Sequence, residues 1–119
     1  MNVEGPGRGP AVDVPALMAR LEGDRELLAE LYEIFVPDAE GLLAALEKGV
    51  SSSDADAVRR AAHTLKGAAG NFCAPSAVAA ALALETAGRT REMADAPRLL
   101  ARLRAEIDAV ATALAAALS

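Results

Sequence analysis

The sequence predicts an all-α fold, an up-down-up-down antiparallel four-helix bundle with a short extra N-terminal helix. Three observations carry that expectation. Hydrophobic residues make up 53% of the chain but aromatics only 3%, so the core must be built from Leu and Ala, which favour close-packed helices over sheet. β-Branched residues are sparse, and no run alternates cleanly with period two. Four long segments instead repeat their apolar residues at steps of three and four and are joined by short breaks, the pattern of antiparallel neighbours in a bundle. With 119 residues, the chain has the size of one domain around one core.

Each element has its own signals. Residues 1–12, "MNVEGPGRGPAV", hold three glycines and two prolines and read as a flexible N-terminal tail; the helical domain is expected over 13–118. Asp13 caps a short helix with Pro15 in its first turn, running to about Leu21 and ended by Gly23. This helix should pack across one end of the bundle. Asp24 caps the next helix, whose apolar stripe is Leu28, Leu31, Phe35, Leu42 and Leu46. Pro37 falls inside it and predicts a kink, not a break, because the stripe resumes in phase. "KGVSSSD" ends that helix, and Ser53 with Asp56 resembles a capping box for the third. Val58, Ala62, Leu65, Ala69 and Phe72 form the third helix's buried face. "CAPS" interrupts, and Pro75 or Ser76 opens a fourth helix, with Val78, Leu82 and Glu85 on one face and an end near "AGRTRE". Asp95 caps the last helix, with Pro97 in its first turn and a seam of Leu100, Leu103, Ile107, Val110 and Leu114.

Composition excludes several function classes. A net charge of −5 argues against a nucleic-acid binder, which would carry a basic surface. A single cysteine, Cys73, cannot form an internal disulfide and fits a reducing, cytoplasmic setting. No apolar run approaches the roughly 18 residues needed to span a membrane, and the N-terminal segment lacks the apolar core of a signal peptide. No His, Cys and carboxylate cluster suits a metal, and no glycine-rich loop suits a nucleotide. The chain is therefore expected to hold no metal, no cofactor and no ATP site. No nucleophile, base and orienting group recur together, which argues against an enzyme in its own right.

The one histidine of the chain stands in "AAHTLKGAAGNFCA". At about 100° per residue, His63 falls about 140° from the buried stripe of its helix and points outward. Arg59 at about 100°, Lys66 at about 80°, Gly70 at about 120° and Gly67 at about 180° share that outer side. A lone exposed histidine is usually a solvated polar residue. The two glycines change the weighing, since each costs about 1 kcal/mol relative to Ala inside a helix. In so Ala-rich a chain they make sense if another protein must approach the ring closely. Lys66, three residues on, is within reach of a group attached to the imidazole, and Arg59, one turn before, could assist.

These residues resemble a known family. "AAHTLKGAAGNF" is similar to the His-x-x-Lys-Gly signature of histidine-containing phosphotransfer (HPt) domains of bacterial phosphorelays. "GDRELLAELYEIFVPDAEGLLAALEKGV" resembles the family's long helix before the histidine, and "ALALETAGR" its following helix. The resemblance implies that His63 is the phosphoacceptor through Nε2, that Lys66 steadies the phosphoryl group, and that Gly67 admits a receiver domain. Arg59, Arg60, Gly67 and Gly70 are then the expected partner-docking residues. The expected partners are receiver domains of response regulators or of a hybrid histidine kinase, with the divalent metal in the receiver, and a monomer suits such a carrier. Cys73 departs from the pattern, standing in "NFCA" where the family often has Gly. Asn71 and Glu85 fit the pattern without an assigned role.

Other readings stay open at this point. A chemotaxis-type histidine kinase has a phosphoacceptor domain with the same fold and signature. A sensor-kinase dimerisation domain typically has an acidic residue after the histidine, where Thr64 stands here. A helical docking module would leave His63 incidental and would need an exposed apolar stripe, for which "DAVATALAAALS" is the candidate, although Ala is a poor hot-spot residue.

Overall fold

Aspartates open the first three helices, because a carboxylate one residue ahead of a helix can accept an otherwise unpaired N–H of its first turn. In the computed structural model, which describes residues 9–119, Asp13 accepts from Ala16 N and opens α1 (Val14–Arg20). Asp24 accepts from Leu27 N and opens α2 (Arg25–Ser51). Asp54, not Ser53, accepts from Ala57 N and opens α3 (Ala55–Asn71). Two further helices, α4 (Pro75–Thr90) and α5 (Ala96–Leu118), have a proline in their first turn, where its missing N–H costs nothing. The described residues are all-helical, with no strand. No described helix is long and apolar enough to cross a membrane.

Helix ends explain where the sequence reading went one residue astray. Glu22, Ser53, Cys73 and Arg91 all have positive φ, between 55° and 63°. Each follows a helix as the left-handed residue that lets the next N–H fold back onto the last turn. After α2, Asp54 N donates to Gly49 O at 2.8 Å and Ser53 N to Val50 O at 3.2 Å. Ser53 is thus committed to stopping α2, and the capping role passes to Asp54. Asp95 stands at the start of α5, but its carboxylate makes no cap bond and pairs instead with Arg98 at 3.3 Å.

The four long helices close a ring in which α2 packs on α3, α3 on α4, α4 on α5 and α5 on α2. The stripes expected for α3 and α5 are buried in full, with Val58, Ala62, Leu65, Leu103, Val110 and Leu114 fully enclosed. α2 runs unbroken through Pro37, whose residue faces solvent. Its stripe includes Ala39 and Leu43, which the sequence reading omitted, while Leu31 and Leu42 are only half-buried.

α4 departs most from expectation. Leu82 is 45% exposed, and the buried face is Ala77, Ala80, Ala81, Leu84 and Ala87, with Glu85 and Gly88. The cause is close approach: a Cβ on Gly88 would lie 2.7 Å from both Ala55 O and Arg59 N. Small residues let α4 lie directly on α3, and its larger side chains turn to the rim. Val12, expected in the tail, is 2% exposed and joins the core. It is drawn in because Asp13 N donates to Cys73 O at 2.8 Å, tying the chain to the α3–α4 connection. The part of the expected tail at residues 1–8 lies outside the described residues.

Candidate functional site

Burial of the Val58–Ala62–Leu65–Ala69 face turns the opposite side of α3 to solvent. His63 sits there with its side chain 65% exposed. The contact between Gly88 and Arg59 sets the register of α4 beside it, so Glu85, one turn before Gly88, meets His63, one turn after Arg59. His63 Nδ1 lies 2.9 Å from Glu85 Oε2. Lys66 Nζ lies 2.8 Å from the other oxygen, Glu85 Oε1. The carboxylate side chain is 11% exposed, against 28% for Lys66.

The electrostatics settle the proton's place. The Lys66 ammonium holds the Glu85 carboxyl below the usual carboxylate range. Burial pushes the other way, and the His63 hydrogen bond adds to the lowering. An ionised carboxylate only accepts hydrogen bonds, so Nδ1 of His63 must carry the hydrogen it donates to Glu85. In the neutral ring the lone pair is then on Nε2. Sequence reading surrounded His63 with cations; the structure adds an anion beneath it.

The other expected site residues fall into two groups. Lys66 joins His63 through their shared carboxylate. Gly67 is exposed, and a Cβ there would meet nothing within 4 Å, so the surface one turn beyond His63 is open. Arg59 is 42% exposed, and its guanidinium lies 4.0 Å from Asp56, which also pairs with Arg91 at 3.6 Å. Arg60 is exposed, and its carbonyl accepts from the Thr64 hydroxyl at 3.1 Å. Gly70 is half-buried at the junction with α1 and α4: its carbonyl accepts from Arg20 at 3.1 Å, and a Cβ would touch Val78 at 3.9 Å.

Glu85 is the residue for which sequence reasoning found no role. Its signal was available, since a carboxylate amid an otherwise small, apolar face of α4 needs a cationic or N–H partner to be buried. On the Thr64 side of His63, α2 and α3 flank an apolar cleft of about 200 Å³, with Leu42, Leu65 and Phe72 in its walls and Ile34, 59% exposed, at its edge. Among the described residues, no group of three or more His, Cys, Asp or Glu side chains could hold a metal ion.

Comparisons with known proteins bear on the fold and the family. A crystal structure of histidine-containing phosphotransfer protein B (HptB) from Pseudomonas aeruginosa PAO1 superposes with a TM-score of 0.85 at 27% sequence identity, covering 93% of this chain and 96% of that one. No curated protein matches significantly in sequence. The family model described as Hpt domain matches residues 30–113, a stretch that includes His63, Lys66 and Glu85. The chain therefore belongs to the Hpt family, whose work is histidine phosphotransfer in phosphorelays.

Proposed function

We propose that His63 is the phosphoacceptor of this domain and that it works as a carrier between receiver domains, without an ATP site of its own. One observation carries the reading: the chain's single histidine is exposed, and a buried, ionised Glu85 holds its Nδ1–H. The nucleophilic Nε2 is thereby left as the free ring nitrogen. In the forward step, the Nε2 lone pair attacks the phosphorus of a receiver's aspartyl phosphate in line. The N–P bond forms while the P–O bond breaks, and its electron pair returns to the aspartate carboxylate. Such a transfer asks mainly for positioning and charge stabilisation. Lys66, 2.8 Å from Glu85, is near enough to turn its ammonium to the incoming phosphoryl oxygens.

Receiver domains of response regulators or of a hybrid histidine kinase are the partners this reading names, with any divalent metal held on the receiver side. Gly67 offers the open approach, and Arg59 and Arg60 the positive rim for docking. Gly70 contributes less through openness than through the α1 junction it accepts. We also infer an up-down-up-down order for α2–α5, supported by Gly49 against Val58, Gly88 against Arg59, Gly70 against Val78 and Arg25 against Ala117. A monomer acting in the cytoplasm fits a carrier that exchanges partners.

The test is to incubate the protein with receiver domains precharged by a small phosphodonor and to follow intact mass. Gain of one acid-labile phosphoryl group on the wild type, and none on His63→Gln, is expected. A folded protein that binds a charged receiver yet gains no phosphoryl group from it would overturn the carrier reading.

A further inference from the structure

We propose that Leu82, together with the apolar groove it heads between α4 and α1, is a docking surface for the receiver domain, whose footprint runs from His63 over Gly67 onto the α4 side of the site. The inference rests on His63 being the phosphoacceptor, and adds where the partner lies and which side chain of α4 holds it. It starts from a leucine that the core leaves in water. Leu82 and Ile34 are the large hydrophobic side chains exposed among the described residues. A single exposed leucine is ordinary and needs no explanation. Leu82 is not isolated, however. It shares an open, mainly apolar groove of about 550 Å³ with Gly70, Cys73, Val78 and Ala79, edged by Arg20 of α1.

The register of α4 on α3 ties this groove to the histidine. Gly88 lies on Arg59, Glu85 on His63 and Val78 beside Gly70. In each pair one number rises as the other falls, so Leu82 stands level with Lys66 and Gly67, between the ring and the groove. At about 100° per residue, Leu82 falls about 60° from Glu85 and about 40° from Val78, on the outer side of the face that α4 turns to α3.

Transfer brings the phosphorus of the receiver's aspartyl phosphate to Nε2, so His63 lies inside the receiver's footprint. An interface of even about 500 Å² per partner reaches about 12 Å from its centre. Leu82 is one turn from Glu85, with about 5–6 Å between their Cβ atoms, and Glu85 Oε2 lies 2.9 Å from the ring. The leucine is therefore within reach of the docked partner. Gly67 leaves the path between them clear, since it is exposed and a Cβ there would meet nothing within 4 Å. Arg59 and Arg60, in the opposite direction along α3, supply charge but little apolar area to remove from water. The occupant that fits is a receiver with apolar side chains beside its phosphorylated aspartate. A charged side chain at that place would lose its water against Leu82 and Val78 and gain no partner.

The experiment compares wild type, Leu82→Gln and Leu82→Met, each loaded by phosphoramidate and by a charged receiver over a range of receiver concentrations. Glutamine keeps the length and the helix propensity and removes the apolar end. Leu82→Gln should need about fivefold more receiver to reach half its maximal rate, the change expected when about half of a leucine side chain no longer leaves water on docking. Its maximal rate should stay at the wild-type value, because Leu82 touches no reacting atom. Leu82→Met should restore the wild-type requirement, and phosphoramidate should load all three proteins equally. In the wild type, the Leu82 methyl NMR signals should shift on titration with uncharged receiver, a reading that needs no variant to fold. An unchanged receiver requirement in folded Leu82→Gln, unmoved Leu82 methyl signals in a complex that forms, or a loss confined to Ile34→Gln would overturn this surface while leaving His63 as the acceptor. A wild type that takes no phosphoryl group from either donor would overturn the carrier reading and this inference with it.

Discussion

At the scale of single residues, the site is a three-membered chain in which one buried carboxylate serves two neighbours. Lys66 and His63 each take one oxygen of Glu85. Because the Glu85 carboxyl is held below its usual range in the fold, the folded protein binds that proton less readily than the unfolded chain. Its ionised form therefore adds stability at neutral pH, and the contribution is lost as pH falls from the ordinary glutamate range through the depressed folded value. Urea midpoints measured along an acid series should show this loss, and Glu85→Gln should flatten it. Lys66 is the larger cause of the lowering, so Lys66→Met should move the acid loss back toward the ordinary range. If Lys66 steadies the transferring group, as proposed, the same substitution should slow transfer from a charged receiver by about tenfold, equivalent to ~1.4 kcal/mol of transition-state stabilisation. Stopped-flow or quench measurements of phosphoryl gain would check it; an unchanged rate would confine Lys66 to holding Glu85. His63 and Lys66 were legible from sequence because their spacing on one helix is local. Glu85 received no role because it lies 22 positions away, and only the register of α4 on α3 brings it beneath the ring.

At the scale of elements, glycine does two opposite things on the α3–α4 pair. Gly88 is required by packing, since a Cβ would collide with α3 backbone at 2.7 Å. Gly67 faces open space, and packing does not explain it. Gly67→Ala should therefore stabilise the domain by up to about 1 kcal/mol through helix propensity alone. If Gly67 serves docking, the variant should nonetheless accept phosphoryl more slowly from a receiver, while phosphoramidate, too small to notice the methyl group, loads both proteins equally. Melting temperature and the two loading rates together decide it. The end of α3 presents the reverse case. Cys73 holds φ +55°, and Ala74 N and Cys73 N fold back to Ala69 O and Gly70 O. A left-handed conformation costs a non-glycine residue about 1–2 kcal/mol. Cys73→Gly should raise stability by about 1 kcal/mol in a urea titration, after part of the gain is offset by glycine's greater freedom in the unfolded chain. These helix ends show why boundaries read from sequence slipped. Glycine is the usual stop signal, but Glu22, Ser53, Cys73 and Arg91 do that work here. Asp13 and Asp24 were read correctly because a capping carboxylate acts within three residues of itself.

At the scale of the whole molecule, periodicity was enough for the helix count and for the faces of α3 and α5, whose Leu, Val and Ile residues are distinctive. It failed on α4, where Ala is both core and surface and only the neighbour decides which. The same limit applies to the ends of the chain, because backbone and side-chain ties between distant segments leave no periodic trace. Asp13 N reaches Cys73 O, and Arg20 reaches Gly70 O, so α1 is strapped over the α3–α4 connection. Across the bundle, Arg25 at the start of α2 donates to Ala117 O at 2.9 Å and to Leu118 O at 3.0 Å. Those carbonyls have no partner within α5, and a guanidinium there also complements the negative end of the helix dipole. The tie sits where the α2–α5 edge closes the ring, and it involves neither α3 nor α4, which carry the site. Arg25→Met keeps most of the aliphatic stem and removes the donors. It should fray the last turn of α5, seen as faster amide exchange from Ala115 to Leu118, and lower global stability by no more than about 1 kcal/mol. Receiver-dependent loading of His63 should stay at the wild-type rate. A large global loss would mean that the ring closes cooperatively through this contact, whereas unchanged exchange at the α5 end would mean that apolar packing of Leu114 against the core already holds the last turn in place.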